Sequence, residues 1–394
     1  MRLIHTADWH LGRLFHTVHL TRDQEQVLEQ LVALVAEVRP SAVLIAGDIY
    51  DRAVPPTEAV ELLDDVLTRI VVGHGVPVIA ISGNHDSAAR LDFASTLLRE
   101  RGLHLVGELP REPAPISLAD EHGLVHVHPL PFADPADARY AYGDDTIHDQ
   151  EAVAATGVAR ILAAAPTGER RVAVAHAFVA GAEETPESER PLSVGGSTQV
   201  PAAVFDGFDY VALGHLHRPQ RCGAATVRYA GSLMKYSFSE HDHEKSVSVV
   251  EIGAPGSASG AQGRARVAVE TVALTPPRDV RRLEGTLAEI LALGSSDLQR
   301  DDYVLAALLD KGALLDPIGQ LRSVYPNTLA IERPLYDQAG SEDEPRPRPG
   351  AVGDLDLFDA FFRYASGDPL STAQRTQLAA VIDALERRRR EAAP

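Results

Sequence analysis

Five short apolar segments of this chain each run out into histidine, aspartate or asparagine. Leu3–Thr6 leads to Asp8 and His10, Ala42–Ala46 to Asp48, and Val76–Ile81 to Asn84 and His85. Arg171–Ala175 leads to His176, and Tyr210–Leu213 to His215 and His217. Helical stretches separate the first three segments. Between Asp23 and Val38 the residues Val27, Leu28, Leu31, Leu34 and Val35 recur at helical spacing. Between Thr57 and Val72 the residues Val60, Leu63, Leu67 and Ile70 do the same, with Thr57 as the expected N-cap. Strands apolar on both faces, alternating with such helices, predict parallel strands in a layered α/β fold. In such a sheet the carboxyl ends of the strands open on one crevice, so the polar residues converge there.

A lone histidine at a strand end is usually structural. Five strand ends repeating the pattern argue for a site. Asp8 and His10 are two apart, as are His215 and His217, so on extended backbone each pair leaves one face. Gly47, Gly83 and Gly214 precede Asp48, Asn84 and His215, and are expected to let the backbone approach bound ions closely. Imidazole, carboxylate and amide oxygens together suit Mn, Fe or Zn better than Ca. The donors are too many for one ion and suit two, about 3.5–4 Å apart and sharing a carboxylate. Two divalent ions against two aspartates leave a charge of about +2, which attracts a phosphate anion.

The rest of the chain supplies further strands at Gly123–His128, Thr226–Ala230 and Ser246–Ile252. A Gly/Ala/Ser-rich turn over Gly253–Gly263 follows, then an alternating segment to Thr275 that reads as the second arm of a hairpin. A small α/β unit comes next: a helix over Asp279–Leu293, a strand over Tyr303–Leu308, a helix over Pro317–Val324 and a strand over Thr328–Glu332. The acidic, then Pro-rich stretch Gln338–Pro349 reads as a linker. Asp354–Tyr364 and Ser371–Arg390 read as two helices. The expected division is 1–275, 276–337, a linker at 338–352, and a helical segment at 353–394.

The 394 residues carry 37 Lys and Arg against 56 Asp and Glu, a net charge of −19. That excludes a protein that coats nucleic acid through bulk positive charge, although a local site can still be positive. Cys222 is the single cysteine, so an intrachain disulfide or a Cys-rich metal site is excluded. One cysteine fits a reducing cytoplasm. The first residues lack the apolar run of a signal peptide, and no run approaches the roughly 18–20 apolar residues of a membrane span.

Asp8-x-His10, Gly47-Asp48, Gly83-Asn84-His85-Asp86, His176 and Gly214-His215-x-His217 resemble the calcineurin-like metallophosphoesterase pattern. The resemblance implies that family's layered α/β fold, two sheets flanked by helices. It implies one metal on Asp8, His10, Asp48 and His217, and a second on Asp48, Asn84, His176 and His215. Asp48 would bridge them, and His85 would be the catalytic histidine that binds no metal. Asp86 would orient His85 or shape the turn.

Longer stretches resemble the SbcD family, the nuclease subunits of bacterial SbcCD complexes. They include His5-Thr6-Ala7-Asp8-Trp9-His10-Leu11-Gly12, Ser188-Glu189-Arg190-Pro191-Leu192 with Val194-Gly195-Gly196, 210–220, and Ser237-Phe238-Ser239-Glu240. This resemblance covers nearly the whole chain. It implies a Mn²⁺-dependent double-strand DNA exonuclease and hairpin endonuclease with two Mn²⁺ per chain, other divalent metals being admissible. It implies a homodimer paired with an SbcC-like SMC-family ATPase, in the cytoplasm and on the nucleoid when bound to DNA. The middle unit would be a DNA-facing capping domain. Leu357, Phe358, Phe361 and Phe362 would dock on the partner. Archaeal and eukaryotic relatives often carry a histidine just after the Gly-Asp motif, where this chain has Asp51-Arg52. Arg13, His16, Arg52, Arg90, Arg218 and Lys235 lie near the motifs and are candidate DNA contacts. The rival expectation is a related enzyme that acts on nucleotides or small phosphodiesters.

Overall fold

The computed structural model describes residues 1–165, 168–186, 188–189, 199–257, 264–337, 353–366 and 368–391. The chain divides into two units, Met1–Val280 and Arg281–Pro394. The expected linker at 338–352 and most of the expected insertion at 188–196 lie outside the described residues, as does part of the 253–263 turn.

The first unit contains two six-stranded sheets. Its strands are β1 (Arg2–Thr6), β2 (Ala42–Ala46), β3 (Val78–Ile81), β4 (Leu103–Val106), β5 (Ile116–Asp120) and β6 (Gly123–Leu130). They continue with β7 (Arg170–His176), β8 (Tyr210–Gly214), β9 (Gln220–Cys222), β10 (Ala224–Tyr229), β11 (Ser246–Ile252) and β12 (Val267–Ala273). The first sheet runs β12-β11-β1-β2-β3-β4, and the second runs β9-β10-β8-β7-β6-β5. β1 through β4 are parallel, and β11 joins β1 antiparallel with Leu3 opposite Val250. In the second sheet β6, β7, β8 and β10 are parallel. β11 and β12 form the expected antiparallel pair.

Alternation sorts the strand residues. Val172 and Val174 of β7 face the first sheet's Leu3, Leu44 and Ile79 in one apolar layer. Ala173 and Ala175 face away, into a cluster with Val153, Val158 and Ile161. Those three belong to a helix over Gln150–Ala164. The helix Thr21–Val38 buries Val27, Leu28, Leu31 and Val35, as its periodicity requires, but it also buries Gln24. The helix expected to be capped by Thr57 begins there, but Pro56 occupies the cap and supplies no side-chain bond.

The second unit holds a three-stranded sheet of Val280–Gly285, Tyr303–Leu308 and Thr328–Glu332. The segment expected as one helix over 279–293 is a strand followed by a helix, Leu287–Gly294. Thr286 makes the break: its side chain accepts the N–H of Glu289, and Glu289 reaches back to the Thr286 N–H. Helices Asp354–Ser366 and Thr372–Glu391 follow, joined by Arg375 to Asp356 and Asp359. Among the described residues no helix is long and apolar enough to cross a membrane.

Candidate metal centre

Because β1, β2 and β3 run parallel, and so do β7 and β8, their carboxyl ends bring the polar residues to one rim. The loops are bonded to one another along it. Asp8 N–H donates to Gly47 O at 3.0 Å and His10 N–H to Asp48 O at 3.0 Å. Across the rim His215 N–H donates to the Asp8 carboxylate at 2.9 Å. The backbone here is not extended, which corrects the reading of Asp8 and His10 by strand alternation. Asp8, His10 and Asp48 have φ of 51°, 45° and 49°, and His215 has 106°. Non-glycine residues in this region are strained and persist only where surrounding bonds hold them.

The glycines make room for protein rather than for ions. A Cβ on Gly47 would lie 2.4 Å from His176 Nδ1, and one on Gly83 would lie 2.2 Å from Asp48 Oδ1. A Cβ on Gly214 would lie 1.9 Å from Ala46 O. The two sheets therefore meet at the site with almost no space between their loops.

All seven expected ligands and His85 come together here. Asp48 is central: its Oδ2 lies 3.6 Å from both His10 Nε2 and His176 Nε2. Donor atoms of Asp8, Asp48 and His176 lie within 4.8 Å of one another, as do those of His10, Asp51 and His85. His10 Nε2 faces His217 Nε2 at 3.1 Å, and the His176 and His215 ring centroids are 5.4 Å apart. Asn84 Oδ1 lies 2.9 Å from His176 Nε2. His85 stands edge-on to His10, centroids 4.7 Å apart. Its N–H donates to Asp48 Oδ1 at 2.8 Å, and its Nδ1 donates to the Asp51 carbonyl at 2.8 Å.

The surroundings fit a cation. Burial pushes His10, His176 and His215 below the ordinary imidazole value, so they are neutral donors. Burial, and next the charge of Asp48, raises Asp8 well above the carboxylate range and Asp86 up to about 7. A positive ion relieves that crowding of carboxylates. His10 Nδ1 is buried without a hydrogen-bond partner. His176 Nδ1 donates to Ala46 O at 3.0 Å, which leaves its Nε2 bare and facing Asn84 Oδ1, another acceptor. Two acceptors at that distance call for a cation between them.

Residues behind the rim hold it. Asp86 accepts main-chain N–H groups from Gly83, Ile49 and Tyr50, which is the turn-shaping role. Gln24 accepts Gly12 N–H and donates to the carbonyls of Trp9 and His10. Its place on the apolar stripe with Val27 and Leu28 was the available signal. Glu240 and Lys245 form a buried pair beneath His217 that spacing alone does not announce.

The candidate DNA contacts are placed differently from one another. Arg52 and Arg90 are exposed. Arg13 is bound to Asp51 and Arg218 to Asp242. His16 packs beside Phe15 and Phe238. Lys235 is buried, its ammonium held by Asp279 and the His241 carbonyl. In the tail, Leu357 and Phe362 are half-buried, whereas Phe358 and Phe361 are 41% and 60% exposed.

The SbcD subunit of the SbcCD nuclease from Staphylococcus saprophyticus is 29% identical over 385 residues, covering 98% of each chain. Among solved structures, TT1561 of Thermus thermophilus is 15% identical, with a TM-score of 0.37 over 62% of this chain and 92% of its own. A dimetal phosphatase from Danio rerio is 12% identical, with a TM-score of 0.37 over 70% and 99%. Residues 276–365 match the family described as the type 5 capsule protein repressor C-terminal domain. Residues 1–219, which carry every expected ligand and His85, match the calcineurin-like phosphoesterase family, and the chain belongs to it.

Proposed function

We propose that this chain is a Mn²⁺-dependent DNA nuclease, an exonuclease on double-strand ends and an endonuclease on hairpins and single strands. One observation carries the reading: the chain that gathers these residues on one rim aligns from end to end with a nuclease subunit. Asp8, His10, Asp48 and His217 would hold one ion, and Asp48, Asn84, His176 and His215 the other. When bound, the ions would supply Lewis acidity towards water and the phosphate oxygens.

The protein's own groups do the rest. Asp48, between His10 and His176, belongs to both ligand sets. His85 keeps its Nδ1 hydrogen on the Asp51 carbonyl, so Nε2 is the atom left for the leaving oxygen, and it would give that oxygen a proton only from the ring protonated on both nitrogens. Arg52 and Arg90 hold flanking phosphates. The 276–337 unit faces DNA, and Phe358 and Phe361 dock on the coiled coil of an SMC-like ATPase. The working form is a homodimer in the cytoplasm, nucleoid-associated when bound to DNA.

The test is cleavage of an end-labelled duplex and a DNA hairpin in Mn²⁺, with and without the ATPase. His85→Ala is expected to lose about 10²–10⁴-fold in rate while keeping its bound metal. No cleavage in any arm, with two Mn²⁺ bound per chain, would reassign the substrate to a small phosphodiester.

A further inference from the structure

Beneath the rim, Glu240 is fully buried at the end of a short 3₁₀ turn, Phe238–Glu240. Four donors converge on it. Its Oε1 accepts from Ser188 Oγ at 2.7 Å, His217 Nδ1 at 3.0 Å and Tyr236 N–H at 3.3 Å. Its Oε2 accepts from Lys245 Nζ at 2.5 Å. Lys245 also donates to His217 O and to Ser232 Oγ, both at 2.8 Å, and lies 3.2 Å from His243 Nδ1. His217 is thus gripped at three points, because its N–H also donates to Glu189 Oε1 at 3.1 Å.

The protons can be followed one by one. Ser232 gives its hydroxyl proton to Met234 O, so it receives from Lys245. Ser188 gives its own to Glu240, so Ser188 Oγ, 2.9 Å from His217 Nδ1, is there an acceptor. His217 Nδ1 therefore faces two acceptors and must carry the ring hydrogen. Its Nε2, on the rim side, is left bare.

We propose that Glu240, braced by Lys245, is a positioning residue that fixes the tautomer and ring plane of His217 for metal binding. The inference rests on the proposed metal site. It assigns no contact between Glu240 and substrate. Lys245 immediately precedes β11 of the first sheet, while His217 follows β8 of the second, so the pair also ties the two halves of the ligand set together.

The test is Mn²⁺ titration of the full-length, metal-free protein, read by calorimetry and electron paramagnetic resonance. In Glu240→Gln one of two binding steps is expected to weaken about 10–100-fold, and the other to stay within about twofold. Asp120→Asn is the control. It breaks the Arg170–Asp120 pair, whose Asp120 is partly buried, beside the first residue of β6 and so at the opposite end of that strand, and should cost stability without changing either step. Should Glu240→Gln not fold, Ser188→Ala leaves the Glu240–Lys245 pair intact. ¹⁵N NMR then reads His217, with the proton expected on Nδ1 in the wild type and in Ser188→Ala alike, because Glu240 Oε1 still accepts it. Both steps unchanged in Glu240→Gln, or a wild-type proton on Nε2, would overturn the proposal. A wild type that binds no Mn²⁺ would overturn the metal site itself.

Discussion

The carboxylate of Asp86 accepts the main-chain N–H of Ile49 at 3.0 Å, across 37 residues of sequence. It also accepts Tyr50 N–H at 2.9 Å and Gly83 N–H at 2.9 Å, so one side chain pins the loop after β2 to the loop after β3. Asp86→Ala leaves three N–H groups without their acceptor. We expect a loss of about 2–4 kcal/mol in urea unfolding. Mn²⁺ content should fall as well, because the loops that carry Asp48 and Asn84 separate. An unchanged metal content would show that each loop keeps its shape alone.

Gly47 and Gly83 offer a steric test. Gly47→Ala puts a methyl group into the His176 ring at a residue with φ of +90°, so strain and overlap act together. Gly83→Ala puts one onto Asp48. Each should cost about 1–3 kcal/mol. The expected signature is loss of metal uptake in a protein whose far-ultraviolet circular dichroism is unchanged, since only the rim is disturbed.

His5 makes stability depend on acid. It is fully buried between the sheets, with Nδ1 2.9 Å from Tyr210 OH and Nε2 3.1 Å from Leu213 O. Burial lowers it to about 3. The native state therefore refuses a proton that the unfolded chain accepts below its ordinary value of about 6.5, and stability falls as pH drops from there towards 3. The slope from this one group is about 1.4 kcal/mol per pH unit. His5→Asn should flatten the pH dependence of unfolding between pH 6 and 4 by one proton. A slope equal to that of the wild type would contradict this.

Arg52 and Lys235 separate phosphate contact from structure. Arg52→Ala and Arg90→Ala should each reduce the salt slope of DNA binding by about one unit. Lys235→Met should leave that slope unchanged and lower thermal stability, since its ammonium is already committed to Asp279 and the His241 carbonyl. Filter binding across a salt series reads both outcomes.

Where the sequence was legible, short-range physics decides the structure. Ala42–Ala46, Tyr303–Leu308 and Thr328–Glu332 form strands at the expected bounds, because each is an apolar run stopped by polar or glycine residues. The cluster of Asp8, His10, Asp48, Asn84, His85, His176, His215 and His217 was legible for the same reason: parallel strands share one end. Val280–Gly285 was misread, since Val280 and Leu283 fit helical spacing until the Thr286 cap is recognised. The left-handed turns at Asp8 and His10 were hidden, because contacts with Gly47 and Asp48 impose them from another strand. Glu240 beneath His217 was hidden too. Nothing local relates a carboxylate to an imidazole 23 residues earlier.

The pairing of β1 with β11 sets a schedule for synthesis. A ribosome releases Asp8, His10, Asp48, Asn84 and His85 well before His176, His215 and His217. The strand that flanks β1, Ser246–Ile252, emerges later still. Such distant pairings form slowly, and domains assemble as their parts arrive. Early in translation the nascent chain carries five of the eight clustered side chains on a sheet that lacks a neighbour for its first strand. The cluster can close only after His217 has left the exit tunnel, so a product truncated before that residue lacks part of the rim.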